Sequence, residues 1–410
     1  MNFLEKLLDG VAVEWKPLGE VSRLITKGTT PKKFIDSGIN FVKTESLEDG
    51  RINPQKFMFV SQETHEKELK RSILEANDIL FAIAGSIGKC TVVEESVLPA
   101  NTNQALAIIR LDETVNVRFV FYCMQTLAMK EYIAKYNKAS AQPNLNLQQI
   151  GNFPIPIPCP DNPDRSLAIQ AEIVRILDTF TALTAELTAE LSDRKKQYNY
   201  YRDRLLTFEK GEVEWKTLGN VADIFDSLHQ TPRYSEIGLS MIRVTDIKGG
   251  LLNLDETLKV NHEVFETFTK KYLPKKFDLV MSRVGSYGNV GIVPSDNSVC
   301  MGQNTVVIHP WINNKYLFHF LLSKTAQSFI ERNVGGGSQK TLSLKSIREI
   351  PIPLVSEEEQ ERIATILDKF DTLTHSISEG LPREIALRQK QYEYYRDLLL
   401  TFPKPEEVEA

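Results

Sequence analysis

The segment GSIGKC at Gly85–Cys90 carries the residue types of a phosphate cradle: two glycines that free backbone amides, then a lysine. Its spacing fails. A nucleotide loop needs four residues between its glycines and Ser or Thr after the lysine, whereas two residues intervene here and Cys90 follows. The same pattern returns without lysine as GSYGN at Gly285–Asn289. Two readings stay open: a tight strand-to-strand turn, or a turn whose amides and side chains (Ser86, Lys89, Ser286, Asn289) approach a nucleic-acid phosphate.

Other segments invite the same question. KGTTPKK holds Lys27, Thr29, Thr30, Lys32 and Lys33, and at the equivalent place HQTPR holds His229, Gln230 and Arg233. The loop GGGSQK offers Ser338, Gln339 and Lys340, and aligns with Lys138, Ser140 and Gln142. Glutamine can serve adenine bidentately in the major groove, and lysine can reach guanine or phosphate. Lys43, Arg243, Arg283 and Tyr287 flank these segments and join the candidates. Each segment reads equally as a solvated surface loop.

Chemistry of other kinds is poorly provided for. The six histidines are dispersed with no His-Glu-x-x-His, and the four cysteines form no Cys-x-x-Cys pair, so neither a zinc site nor a disulfide framework is indicated. There is no Gly-x-Ser-x-Gly, no dinucleotide fingerprint and no Asn-Pro-Pro-aromatic tetrad. The aromatic run Tyr198–Asp203 returns near the C-terminus with helical spacing, which fits packing or partner docking better than base stacking.

The elements that must position these residues are written twice. VEWKPLGEV at Val13–Val21 returns as VEWKTLGNV at Val213–Val221, Gly38 matches Gly238, and Asp78 matches Asp278. Each copy closes with a near-identical segment, Lys196–Phe208 or Lys390–Phe402. So long a period excludes a solenoid and describes a duplicated domain plus helix, with pseudo-twofold symmetry and a ligand that also has two ends. Within each copy, apolar runs such as Ile79–Ala84 and Asp278–Met281 predict strands, and Val117–Tyr136 and Tyr316–Arg332 predict helical stretches. FPIPIPCP (Phe153–Pro160) and IPIPLV (Ile350–Val355) predict stiff extended connectors, because proline at every second residue forbids helix.

Each connector leads into a long helix. Ile169, Ile173, Ile176, Phe180, Leu183, Leu187, Leu191, Tyr198, Tyr201 and Leu205 form a coiled-coil-like seam. A second seam runs through Ile363, Ile366, Phe370, Leu373, Ile377, Ile385, Tyr392, Tyr395 and Leu399. Asp161 and Ser356 stand as candidate N-caps, and Gly380-Leu381-Pro382 predicts an interruption of the second helix. The first contains a repeat, Thr184-Ala185-Glu186-Leu187 then Thr188-Ala189-Glu190-Leu191. Each copy adds about one turn, roughly 6 Å; it is either ordinary good helix or a spacer whose copy number sets a distance.

With 410 residues, 42% hydrophobic and 25% charged, the chain fits about two or three soluble domains. No apolar run approaches the roughly 18 residues of a membrane span, the N-terminus lacks a signal peptide's blocks, and a cytoplasmic protein is expected. Net charge is −5, but residues 13–150 carry 17 Lys/Arg against 16 Asp/Glu, and residues 213–350 carry 16 against 13. The acidity lies in the helical regions. Neither globular part has the basic excess of a non-specific DNA binder.

Two diverged globular copies, two similar helical regions, IPIPCP, LTAELTAEL and KQYNYYRD together resemble the specificity subunits of type I restriction–modification enzymes, closest to the IC subfamily. The resemblance spans essentially the whole chain. It implies an α+β fold: two mixed α/β target recognition domains separated by two long antiparallel coiled-coil-like helices, pseudo-twofold and circular in arrangement. The implied divisions are 1–155, 156–212, 213–350 and 351–410, alternating recognition domain and helical region. It implies a non-catalytic reader of double-stranded DNA with a bipartite asymmetric site and an unread gap of about 6 bp, one helical turn between half-site centres. The implied partners are two modification (methyltransferase) subunits, which methylate adenine, and restriction (translocase/endonuclease) subunits. S-adenosylmethionine, ATP and Mg are expected on those partners, and no cofactor in this chain. Tyr198, Tyr201, Arg202, Tyr392, Tyr395 and Arg396 are the expected docking residues, and the TAEL repeat the expected spacer. A single-chain restriction or methylation enzyme, and a coiled-coil adaptor that binds only proteins, are the competing readings; the absence of catalytic motifs weighs against the first.

Overall fold

The alternating prolines do more than stiffen a connector. In the computed structural model, Pro154–Pro158 is a strand paired antiparallel with Val13–Pro17, in the register Val13↔Pro158 through Pro17↔Pro154. Pro351–Leu354 pairs in the same way with Glu214–Thr217. In an antiparallel pair only alternate residues exchange bonds with a given neighbour, so proline at every second position leaves the pairing possible. The isoleucines between the prolines, Ile155 and Ile157, are buried. The repeated VEWK segments are thereby fastened to the far end of their own copy.

The structure describes residues 10–48, 50–137, 144–209, 211–337, 339–376 and 379–402. The chain divides into two compact units, residues 1–183 with 388–410, and residues 184–387.

In the first unit the main sheet has the strand order Ser22–Lys27, Leu106–Leu111, Ile79–Ala82, Cys90–Val92, all antiparallel. Its central strand ILFA is buried at all four positions, so both faces are covered. Period-two alternation sorts the side chains. Ile79, Phe81, Ala107 and Ile109 join the core formed with the helices. Leu80, Ala82, Leu106 and Ile108 face a second core with Val42, Val93 and Ala100. Each buried Leu, Ile, Val or Phe among them contributes about 1.5–3 kcal/mol. A smaller sheet, Met58–Val60, Ile39–Val42, Ala100–Thr102, pairs its last two strands in parallel.

The second unit repeats this plan. Its main sheet is ordered Ala222–Asp226, Thr305–Pro310, Leu279–Ser282, Val290–Ile292, and its smaller sheet Leu258–Val260, Leu239–Ile242, Val299–Met301. The offset between copies slips from 200 to 199, since Val42 faces Thr102 whereas Ile242 faces Met301.

The predicted helical stretches are each two helices: Val117–Cys123 and Leu127–Asn137, then Asn314–Leu322 and Lys324–Arg332. Ser323 makes the second break, its side chain capping the amide of Ala326.

The long helix, Pro163–Leu205, has 43 residues and spans about 65 Å. Its cap is Asn162, whose Oδ1 accepts from Arg165 N at 3.0 Å, and not Asp161, because Pro163 already occupies the first helical position. Ser356 does cap the helix Glu357–His375, accepting from Glu359 N. That helix stops at His375 and another runs Gly380–Leu399. Gly380 has φ 74°, and a Cβ there would lie 2.4 Å from Thr372 O, so only glycine fits the break. Ile377 lies outside the described residues.

Within the first unit, Gln170 meets the start of the helix Val117–Cys123 and Asp178 meets its end, at Tyr122. Phe402 packs on Phe119, and Tyr392 on Tyr122. The long helix and the final helix therefore run antiparallel along that helix. In the second unit Tyr201 stacks on Phe370 and Tyr198 meets His375, again antiparallel. Between the buried anchors Leu177 and Tyr198, every residue of the long helix is half-buried or exposed. All eight TAEL residues, Thr184–Leu191, lie in this stretch, and the division between units falls just before them.

Candidate nucleic-acid interface

Four loop segments converge at one end of the main sheet in each unit. In the first, the strand Ser22–Lys27 runs into Gly28, whose amide donates to Leu106 O at 3.2 Å; Thr29 N donates to Thr102 O at 3.0 Å. A Cβ on Gly28 would lie 2.1 Å from Thr102 O, so this close approach demands glycine. Ile83 N donates to Ala105 O at 2.9 Å, and Leu145 N to Ile83 O at 3.0 Å. The hairpin turn Gly85–Lys89 is closed by Gly88 N to Ala82 O at 3.1 Å. It is thus a strand-to-strand turn with left-handed glycines, φ 73° and 93°.

Lys27, Thr29, Thr30, Lys32, Lys33, Ser86 and Lys89 are exposed, and Lys43 is half-buried. Lys89 Nζ reaches Leu47 O at 3.3 Å, and Lys32 N donates to Glu68 at 3.2 Å. Lys43 follows the strand whose Val42 O accepts from Thr102 Oγ1 at 2.8 Å, which brings it to the same end. Lys138, Ser140 and Gln142 lie outside the described residues; the chain resumes at Asn144, bridged to Ala84.

The second unit assembles the same segments. Ser227 N donates to Thr305 O at 3.3 Å, Arg283 N to Asn304 O at 2.8 Å, and Gly285 N to Lys340 O at 3.2 Å. The last bond joins the GSYGN turn to the GGGSQK loop, two motifs 50 residues apart in sequence. His229, Gln230, Arg233, Ser286, Asn289, Gln339 and Lys340 are exposed; Ser338 lies outside the described residues. Asn289 N and Ser282 Oγ bond at 3.1 Å, and Ser282 Oγ also donates to Ser286 O.

Three candidates turn out to be structural fasteners. Arg283 donates to Asp226 Oδ1 at 2.6 Å and to Leu342 O at 3.1 Å. Arg243 grips Asp246 through Nε at 3.1 Å and a terminal nitrogen at 2.9 Å, a bond that raises its already high pKa. Tyr287 packs against the core. Their charge or ring is committed within the unit, which position in sequence did not reveal.

Sequence reasoning also missed the glutamine of the turn that precedes the second strand of the main sheet. Gln104 stands there in the first unit and Gln303 in the second. The signal was available: both copies carry Gln two residues after the matched strand ends Thr102 and Met301.

On the helices the aromatic run splits by face. Tyr198 is buried, with its hydroxyl 2.9 Å from His319 Nδ1 and Arg202 over its ring. Tyr392 is buried, donating to Gln125 Oε1 at 3.2 Å beneath Arg396. Arg396 is itself buried, and Arg202 nearly so. These four anchor helix to domain, a correction to their expected role on a docking surface. Tyr201 is half-buried on Phe370 and Tyr395 stacks on Phe180. The most open rings are those of Tyr200 and Tyr394, 58% and 64% exposed, and Tyr395 stays 37% exposed. The cause is the 3.6-residue period, which turns residues two apart, such as Tyr198 and Tyr200, to nearly opposite sides.

Burial pushes the thiols of Cys90 and Cys300 up to about 12, so neither is a nucleophile near neutral pH. Among the described residues no group of three or more His, Cys, Asp or Glu could hold a metal ion, and no helix is long and apolar enough to cross a membrane.

The family model for the type I restriction modification DNA specificity domain matches twice, at residues 11–194 and 211–387. The chain is 38% identical to the Escherichia coli type I restriction enzyme EcoR124I/EcoR124II specificity subunit, over 100% of this chain and 99% of that one. It is 34% identical to the Escherichia coli EcoprrI specificity subunit, over 92% of each. In fold it is similar to a chain from a study of complex assembly in the type I R-M system, with TM-score 0.59, 16% identity, and 95% and 97% coverage. It also resembles the S subunit of such a system from M. genitalium, with TM-score 0.53, 15% identity, and 97% and 98% coverage. The two matches of the family model, one on each copy of the repeat, leave one conclusion: the chain belongs to the DNA specificity subunits of type I restriction–modification systems.

Proposed function

We propose that each unit reads one half of a bipartite, asymmetric site in double-stranded DNA, across a gap of about 6 bp. The observation that carries this reading is the twofold convergence of four polar, partly cationic loops at the same end of two homologous sheets. The side chains presented there differ between units, so the half-sites differ. Residues 1–155 and 213–350 act as target recognition domains, and residues 156–212 and 351–410 as the helical regions between them. The TAEL repeat sets the gap, since it lies in the part of the long helix that neither core anchors. Two modification subunits dock through the exposed Tyr200 and Tyr394 faces and methylate adenine with S-adenosylmethionine; restriction subunits bring ATP- and Mg-dependent translocation and cleavage. The chain itself holds no cofactor and works in the cytoplasm.

Methylome mapping tests the reading. Exchanging residues 13–150 for another recognition domain is expected to replace one half of the methylated motif and leave the other intact. A third TAEL copy is expected to keep both halves and widen the gap by one or two base pairs, for roughly 6 Å of added helix. An exchange that altered both halves, or an active insertion variant with an unchanged gap, would contradict it.

A further inference from the structure

We infer that Gln104 reads a base edge in the first unit's half-site, with Thr30 holding its amide in place. The inference rests on the DNA-reading role proposed above and deepens it. Gln104 stands in the turn Asn103–Ala105, fixed from three directions. Ala105 O accepts from Ile83 N at 2.9 Å, Thr102 O accepts from Thr29 N at 3.0 Å, and Asn103 Oδ1 accepts from Ala105 N at 3.2 Å. The backbone is therefore rigid where the exposed side chain leaves it.

The hydroxyl of Thr30, on a different segment, donates to Gln104 Oε1. That oxygen has a second lone pair, and Nε2 keeps both protons. An amide held this way presents an acceptor and a donor side by side, the pattern complementary to N6 and N7 of adenine in the major groove. Thr30 removes rotamer freedom before DNA arrives, so less is lost on binding. The second unit lacks this device among the described residues: Gln303, at the equivalent position, is half-buried and makes no side-chain hydrogen bond there. The inferred pair thus distinguishes the two units.

The test is methylome mapping of the full chain in its host complex, comparing parent, Gln104→Ala, Thr30→Val and Thr30→Ser. Gln104→Ala is expected to relax one base position in one half-site, with discrimination there reduced roughly 5- to 150-fold. The rest of that half and the whole of the other stay unchanged. Thr30→Val should loosen the same position to a smaller extent, and Thr30→Ser should restore it. Parental discrimination at every position in Gln104→Ala overturns the inference. Should that variant lose all methylation, Thr30→Val decides, and parental discrimination there overturns it equally. If exchange of residues 13–150 moves half the motif while Gln104→Ala moves nothing, this inference alone fails; if the exchange moves nothing, the wider reading fails.

Discussion

At the same end of their four-stranded sheets, the first unit leaves its lysines unpaired, whereas the second clamps two arginines and leaves Arg233 and Lys340 unpaired among the described residues. In the first, Lys27, Lys32, Lys33 and Lys43 form no ion pair among the described residues. In the second, Arg283 is tied to Asp226, which His229 also faces at 3.3 Å, and Arg243 is tied to Asp246. A free lysine is a mobile point charge suited to phosphate, and its contribution is strongly salt-dependent. A guanidinium clamped by a carboxylate adds little net field and instead fixes the loop that carries it. At one equivalent pair of positions, Lys43 and Arg243, the duplicated fold thus leaves the cation unpaired in one unit and clamps it in the other. The net charge of the two globular parts conceals this, because it counts a paired arginine and a free lysine alike.

The largest effect should come from what the units share. Truncating the buried anchors, Tyr198→Ala or Tyr392→Ala, should cost about 3–5 kcal/mol, as for other buried aromatic side chains. Tyr200→Ala and Tyr394→Ala should stay within about 0.5 kcal/mol of the parent yet weaken assembly with partner subunits. Denaturant melts and gel filtration check both; equal stability losses for Tyr198→Ala and Tyr200→Ala would break the division of faces.

A smaller effect sharpens the contrast in charge. Arg283→Met takes from Asp226, only 16% exposed, the guanidinium bound to its Oδ1, leaving it only the exposed His229, and should destabilise the second unit by about 1–3 kcal/mol. Lys27→Met should change stability by less than about 0.5 kcal/mol while lowering the salt-dependence slope of DNA binding by about 1. A stability loss in Lys27→Met as large as in Arg283→Met would remove the distinction.

The smallest effect is a pH dependence confined to one unit. Burial works to raise the pKa of Asp368, but hydrogen bonds from His319 and Lys315 outweigh it and hold the carboxyl below its ordinary value of 3.8. A depressed native pKa gives stability that is full above the unfolded value and fades as pH falls through the native one. Asp368→Asn should therefore cost stability at neutral pH, and its gap from the parent should close below about pH 3.8. Thermal melts from pH 7 to pH 3 measure it; a gap that widened on acidification would reverse the assignment.

By itself the sequence determined the duplication, the two helical regions and the break at Gly380, because proline fixes φ, glycine alone tolerates the left-handed break, and helical periodicity shows in the spacing of apolar residues. The family, and with it the antiparallel run of the helices, came from the resemblance of the motifs. The sequence also showed which segments could meet a nucleic acid, since Gly, Thr, Gln and Lys clusters recur at matched places. Only the tertiary structure decided what each side chain does there. Arg283 finds Asp226 across 57 positions, Thr30 finds Gln104 across 74, and Tyr198 finds His319 across 121. The prolines of Pro154–Pro158 likewise found a strand more than a hundred residues away. A side chain's partner across the fold is set by sheet register and helix rotation, which no local pattern encodes, and that partner decides whether a cation is free to meet DNA or is held in place within the protein.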